Sequence, residues 1–173
     1  MKRVPDMKYL NPINDQLLRL GVDATKHIDL KAAFGDSYTT FTLESSAGSA
    51  IDASIVDGVL TVSAHDLGYT DLVITAATDS GAVITDNVRI NVAGANAFTI
   101  AALPDTQNYT SNPALNYIFG DMTEWLSRNA DSLNIDFVIG LGDVTDNNNA
   151  AQWAIAEAAL RKALPDAFVP ATD

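Results

Sequence analysis

The sequence predicts a two-part chain: a small β-sandwich over residues 1–95, then a β-α-β-α segment of α/β type over residues 96–173. Three observations carry this reading. Short apolar runs of period two, separated by Asp-Gly and Ser-Gly steps, fill the first half. The texture changes at Ala93-Gly94-Ala95-Asn96, which is small and polar. Beyond it, an apolar strand ending in aspartate and followed by a helix occurs twice.

In the first half the runs are Thr40-Phe41-Thr42-Leu43, Gly58-Val59-Leu60-Thr61-Val62, Asp71-Leu72-Val73-Ile74-Thr75-Ala76 and Asn87-Val88-Arg89-Ile90-Asn91-Val92. Alternating Thr and Val suit a pleated surface with one buried side. The spacers Asp57-Gly58, Asp66-Leu67-Gly68 and Asp79-Ser80-Gly81 allow the positive φ that tight antiparallel reversals require. Strands at this spacing without helices predict a β-sandwich with antiparallel sheets.

In the second half, residues 98–102 read as a short strand running into Leu103-Pro104-Asp105. Asn112 and Pro113 read as N-cap and first turn of a helix with Leu115, Ile118, Phe119, Met122, Trp125 and Leu126 on one face. Residues 135–141, IDFVIGL, form a second apolar run that reads as a buried strand of a parallel sheet, and Gly142-Asp143 ends them. Asn147 to Asn149 then open a helix carrying Trp153, Ala156, Leu160 and Leu164. The tryptophans at these positions are expected to pack in the core.

Composition removes several functional classes. The 173 residues are 47% hydrophobic and 18% charged, a globular balance. With 22 acidic against 10 basic residues, the net charge of −12 opposes binding to nucleic acid through a basic patch. Cysteine is absent, which excludes disulfides, thiolate metal sites and cysteine nucleophiles. No stretch is apolar enough for a membrane-spanning helix, and no apolar region follows the basic start as a signal peptide would require.

In open parallel sheets ligands bind beyond the carboxyl ends of the strands, where Asp105 and Asp143 fall. Two carboxylates delivered to one edge can share a divalent cation, since hard oxygen ligands suit such ions. Gln107 adds an amide oxygen on the first loop, and Asp146 and Asn147 add further oxygens on the second. For either aspartate taken alone, turn and capping chemistry is the better account, and it is the coincidence of the two strand ends that points to a site. His27 and His65, the two histidines, lie beside apolar strand positions and read as surface residues rather than ligands.

The stretch TIAALPDTQNY, an amphipathic helix, then IDFVIGLGDVTDN followed by Gln152-Trp153 resembles the start of the calcineurin-like metallophosphoesterases. That family carries Asp-Xaa-His, Gly-Asp-Xaa-Xaa-Asp and Gly-Asn-His-Asp/Glu after its first three strands. The resemblance implies a truncated metallophosphoesterase fold in which Asp105 binds one metal, Asp143 bridges two, and Gln107 stands where a ligating histidine is usual. Asp146 takes a supporting place. The implied cofactors are divalent ions (Mn, Fe, Zn, Mg or Ca), and the implied activity is hydrolysis of phosphate mono- or diesters. The third motif and later histidines are missing, so the chain is expected to be a fragment, inactive alone, with residues 167–173 entering a third strand.

The first half resembles the cadherin-like or immunoglobulin-like modules of large bacterial surface proteins, through Pro12-Ile13-Asn14-Asp15-Gln16, His27-Ile28-Asp29-Leu30, Val59-Leu60-Thr61-Val62 and Gly68-Tyr69-Thr70-Asp71-Leu72. This implies a secreted or cell-surface bacterial setting. Asp66, Asp79 and Asp86 would be the calcium candidates of such a module, against an ordinary role in turns. The alternative to an enzyme is a non-catalytic surface or adhesion protein with a degenerate phosphoesterase-like scaffold.

Overall fold

The computed structural model describes residues 12–46 and 49–163, and the chain divides into two units, Met1–Ala97 and Phe98–Asp173. Each is taken by itself.

The first unit is a sandwich of two sheets. Strands β1 (Gln16–Arg19), β3 (Tyr38–Ser45), β6 (Gly68–Thr78) and β7 (Val83–Ala93) form a four-stranded sheet in the order β1-β7-β6-β3. Strands β2 (Thr25–Asp29), β4 (Ile51–Val56) and β5 (Val59–Ala64) form a three-stranded sheet in the order β2-β5-β4. Alternation does the sorting. Leu72, Ile74, Val88 and Ile90 from the first sheet and Ile51, Leu60 and Val62 from the second meet in one core.

A short helix, α1 (Leu30–Phe34), plugs the sandwich with Leu30 and Phe34, and Asp29 caps it by accepting from the N–H groups of Lys31 and Ala32. The Asp57-Gly58 step closes the β4–β5 hairpin with both residues at positive φ, 51° and 79°. The expectation of antiparallel sheets needs one correction. β1 pairs parallel to β7, with Leu18 opposite Val92. The sequence reading also passed over β1, β2, β4 and α1.

The second unit holds β8 (Thr99–Leu103), α2 (Gln107–Ser111), α3 (Asn116–Asn129), β9 (Ile135–Gly140) and α4 (Ala150–Ala163). β8 and β9 form a parallel pair, as a β-α-β connection requires. The register slips by one residue between Thr99 and Ile100, so Ile135 and Val138 both turn towards the helices. Phe119, Leu126, Ala156 and Ala159 close the core over Leu103. Phe119, 1% exposed, is its largest member, and its burial is worth about 1.5–3 kcal/mol.

Three sequence expectations are corrected here. Asn112 does not cap α3; its Oδ1 accepts from Ala114 N–H at 3.0 Å and holds a turn that precedes the helix. α2 was not foreseen. Trp125 and Trp153 are each 46% exposed rather than packed in the core, and the Trp153 indole N–H donates to Asn148 Oδ1 at 2.7 Å. The start of α4 agrees with its reading, since Asn149 Oδ1 accepts from Gln152 N–H at 3.0 Å. The expected strand entry at residues 167–173 lies outside the described residues.

Candidate metal centre

The two parallel strands deliver Asp105 and Asp143 to one edge. β8 leaves through Leu103 and Pro104, and β9 through Leu141 and Gly142, while Leu141 N–H still donates to Leu103 O at 3.0 Å. One step further, Thr106 N–H donates to Asp143 O at 3.2 Å. The two aspartate-bearing loops are therefore hydrogen-bonded to each other where the sheet ends.

Buried threonines reinforce that junction. Thr110, on α2, directs its hydroxyl at Gln107 O (3.0 Å) and Val144 O (3.1 Å). Thr106 Oγ1 lies 3.4 Å from the same Val144 carbonyl. Both threonines are buried and their carbonyl partners half-buried, so water competes less for these contacts than at the surface. Sequence reasoning missed them, although the Thr-Xaa-Xaa-Xaa-Thr spacing of Thr106 and Thr110 puts both on one side of a helical turn.

At the edge itself, Asp105 accepts from Gln107 N–H at Oδ1 and from Gln107 Nε2 at Oδ2, both at 3.0 Å. The first contact is an Asx-turn, and the second aligns the carboxylate with the amide. The amide nitrogen of Gln107 thus meets Asp105, and ligation through its oxygen requires the amide to rotate. Asp143 is exposed and sits at φ 46°, after Gly142 at φ 103°. Left-handed backbone at both positions turns the chain sharply out of the sheet. Asp146 accepts from Asn147 Nδ2 at 2.8 Å, further along the second loop.

The donor set fits a hard divalent cation in part. Asp105 and Asp143 offer carboxylate oxygens on adjoining loops, and Gln107 stands beside the first. Among the described residues, no three side chains of His, Cys, Asp or Glu gather as a metal-ligand group. The described residues thus provide fewer donors than a two-metal site uses.

The other candidates resolve into local structure. Asp66 Oδ1 accepts from Leu67 N–H (2.8 Å), Asp79 accepts from the Thr39 hydroxyl, and Asp86 holds the N–H groups of Ile13 (2.8 Å) and Asn87 (2.9 Å). His27 Nδ1 shares a hydrogen bond with Thr61 Oγ1 across β2 and β5 at 3.0 Å. Elsewhere on the sandwich, Asp71 grips Arg89 at 2.7 Å, and that hydrogen bond lowers its pKa from the ordinary carboxylate value.

No protein-family model and no curated protein matches the chain. Among solved structures it is similar to the PKD domain from KIAA 1837 protein, at 17% identity over 52% of this chain and 88% of that one, with a TM-score of 0.41. It is also similar to the 2,6-sialyltransferase of Vibrionaceae Photobacterium sp. JT-ISH-224, at 12% identity and a TM-score of 0.39. That match covers 80% of this chain, which spans only 27% of the sialyltransferase. Among the described residues, no helix is long and apolar enough to cross a membrane.

Proposed function

We propose that the second unit is the opening half of a metal-dependent phosphoesterase domain, carried behind an immunoglobulin-like or cadherin-like module in a bacterial surface or secreted protein. One observation supports this most: the paired aspartates at the carboxyl ends of adjacent parallel strands, with their loops joined by the Thr106 N–H to Asp143 O bond. Asp105 and Asp143 would hold the cation, and Gln107 would orient Asp105. Gly142, with no atom within 4 Å of the place a Cβ would take, leaves the approach open. Bound there, a divalent ion supplies Lewis-acid polarisation of a phosphoryl oxygen and lowers the pKa of a bound water.

Cation binding tests this. Calorimetric titration of the chain with manganese should give one saturable event, weakened at least about tenfold by Asp105→Asn and by Asp143→Asn, and about tenfold by Gln107→Ala. Turnover of p-nitrophenyl phosphate by this chain should stay at background, because two-metal chemistry needs more ligands than these three. Binding that both asparagine variants leave intact would remove the site. No saturable binding at all would favour the scaffold reading, in which the unit serves a surface protein without chemistry.

A further inference from the structure

The loop that carries Asp143 is tied down at both ends. Its near end is held at Val144 O by the Thr106 and Thr110 hydroxyls. Its far end is held by the first turn of α4. Gln152, buried at 7% exposure, accepts the Asn147 N–H at Oε1 at 2.8 Å, while its own backbone N–H donates to Asn149 Oδ1 at 3.0 Å. The Trp153 indole adds its bond to Asn148 Oδ1 at 2.7 Å. Consecutive asparagines, Asn147 to Asn149, are thus fastened by neighbouring residues of one helix.

Capping alone does not account for this. An N-cap needs only the bond between Asn149 and the Gln152 N–H. In the usual reciprocal box the third helical side chain reaches back to the N–H of the cap residue itself. Gln152 instead reaches past Asn149 to Asn147, whose side-chain Nδ2 donates to Asp146 Oδ2 at 2.8 Å. The bonds therefore run in series from α4 through Asn147 to Asp146. The loop also holds two left-handed residues that are not glycine, Asp143 and Asn148, each at φ 46°. Such backbone is unfavourable for a residue with a side chain and persists where neighbouring bonds hold it.

We propose that Gln152 is a positioning residue for the cation-binding loop and that Trp153 senses the state of that loop. This rests on the cation site at Asp105 and Asp143, and adds how the second of these is placed. Asn147 follows Asp143 within about 14 Å of chain even when fully extended. With Asn147 released, the stretch after Val144 is free, and Asp143 is held from one side alone. The ordering that a cation then has to impose comes out of its affinity.

Manganese titration of the 173-residue chain tests this, by calorimetry and by fluorescence in a Trp125→Phe background that leaves Trp153 as the sole tryptophan. Gln152→Leu, which keeps bulk and removes the acceptor, should weaken manganese about tenfold. Gln152→Glu, which restores an acceptor oxygen, should recover most of that loss in about 0.5 M salt, where its added charge is screened. Ala154→Gly, at an exposed position of α4, also weakens the helix but should leave the affinity unchanged. The emission maximum of Trp153 should move as manganese binds, with the calorimetric midpoint; wavelength is read because intensity alone would include quenching by the ion. A Gln152→Leu chain that binds as wild type does would overturn the proposal. So would equal losses in Gln152→Leu and Ala154→Gly, which would make helix stability the cause, or a Trp153 emission fixed throughout a saturating calorimetric titration. In each of these results Asp105→Asn and Asp143→Asn still weaken binding and the cation site stands, whereas a wild-type chain that binds no manganese removes both.

Discussion

Thr110→Val is the sharpest probe of how the candidate centre is held. Valine matches threonine in shape, so the substitution removes one hydroxyl from a side chain that is 1% exposed and changes little else. That hydroxyl lies 3.0 Å from Gln107 O and 3.1 Å from Val144 O. Losing a buried hydrogen bond of this kind costs about 1 kcal/mol, and an acceptor left unsatisfied adds to it. Val144 O keeps Thr106 Oγ1 at 3.4 Å, which holds the added penalty low. A loss of about 1–2 kcal/mol is expected, a fall of roughly 4–15 °C in the melting temperature of a unit this small.

The chain provides its own reporter. Both of its tryptophans, Trp125 and Trp153, belong to the second unit, so their fluorescence in a urea titration follows that unit alone. Thr110→Ser, which keeps the hydroxyl and loses a methyl, should cost about 0.8 kcal/mol but leave manganese affinity intact. Thr110→Val should weaken that affinity about tenfold, as loss of a supporting hydrogen bond does around a metal. If the valine variant matched wild type in both urea midpoint and manganese affinity, the threonine would not be the tie between the two loops.

Two further outcomes follow from backbone and charge. At φ 46°, position 143 accepts asparagine far better than alanine, so Asp143→Asn should leave the urea midpoint of the tryptophan signal near wild type, and Asp143→Ala should lower stability by about 1 kcal/mol. Asp23 has its pKa lowered chiefly by side-chain hydrogen bonds from Arg19, at 3.0 Å, so its stabilising effect on the sandwich is present above the unfolded value of 3.8 and is lost as pH falls through the lower folded value. Measured by circular dichroism, the advantage of wild type over Asp23→Asn should be at most about 1 kcal/mol at pH 6, shrink below about pH 4, and vanish once both states are protonated.

Legibility followed the length and regularity of each element. The β6–β7 hairpin announced itself because Leu72, Ile74 and Ala76 alternate with half-exposed residues, and Gly81 supplies positive φ at the turn. β1 did not. Its four residues, Gln16-Leu17-Leu18-Arg19, carry no alternation, and their parallel partner lies more than seventy residues away. α2, five residues long, is too short for helical periodicity to register. At the candidate centre the aspartates were readable as strand ends, whereas the Gln107 amide nitrogen facing Asp105 is a rotamer choice that spacing does not encode.

The tryptophans show where periodicity reaches its limit. A helical face groups Trp125 with Met122 and Leu126, but grouping says nothing about whether another element lies opposite. In the second unit Trp125 instead lines an open groove beside β8, with Ile100 and Leu133. The strand sequence held the fuller message. IDFVIGL is apolar at every position but Asp136 and Gly140, so it calls for covering layers, and α3 and α4 supply one. Phe137, Ile139 and Leu141 belong to the second layer's side. Their exposure follows from the same residues that first marked the segment as a buried strand, so the open face is a property written into the sequence.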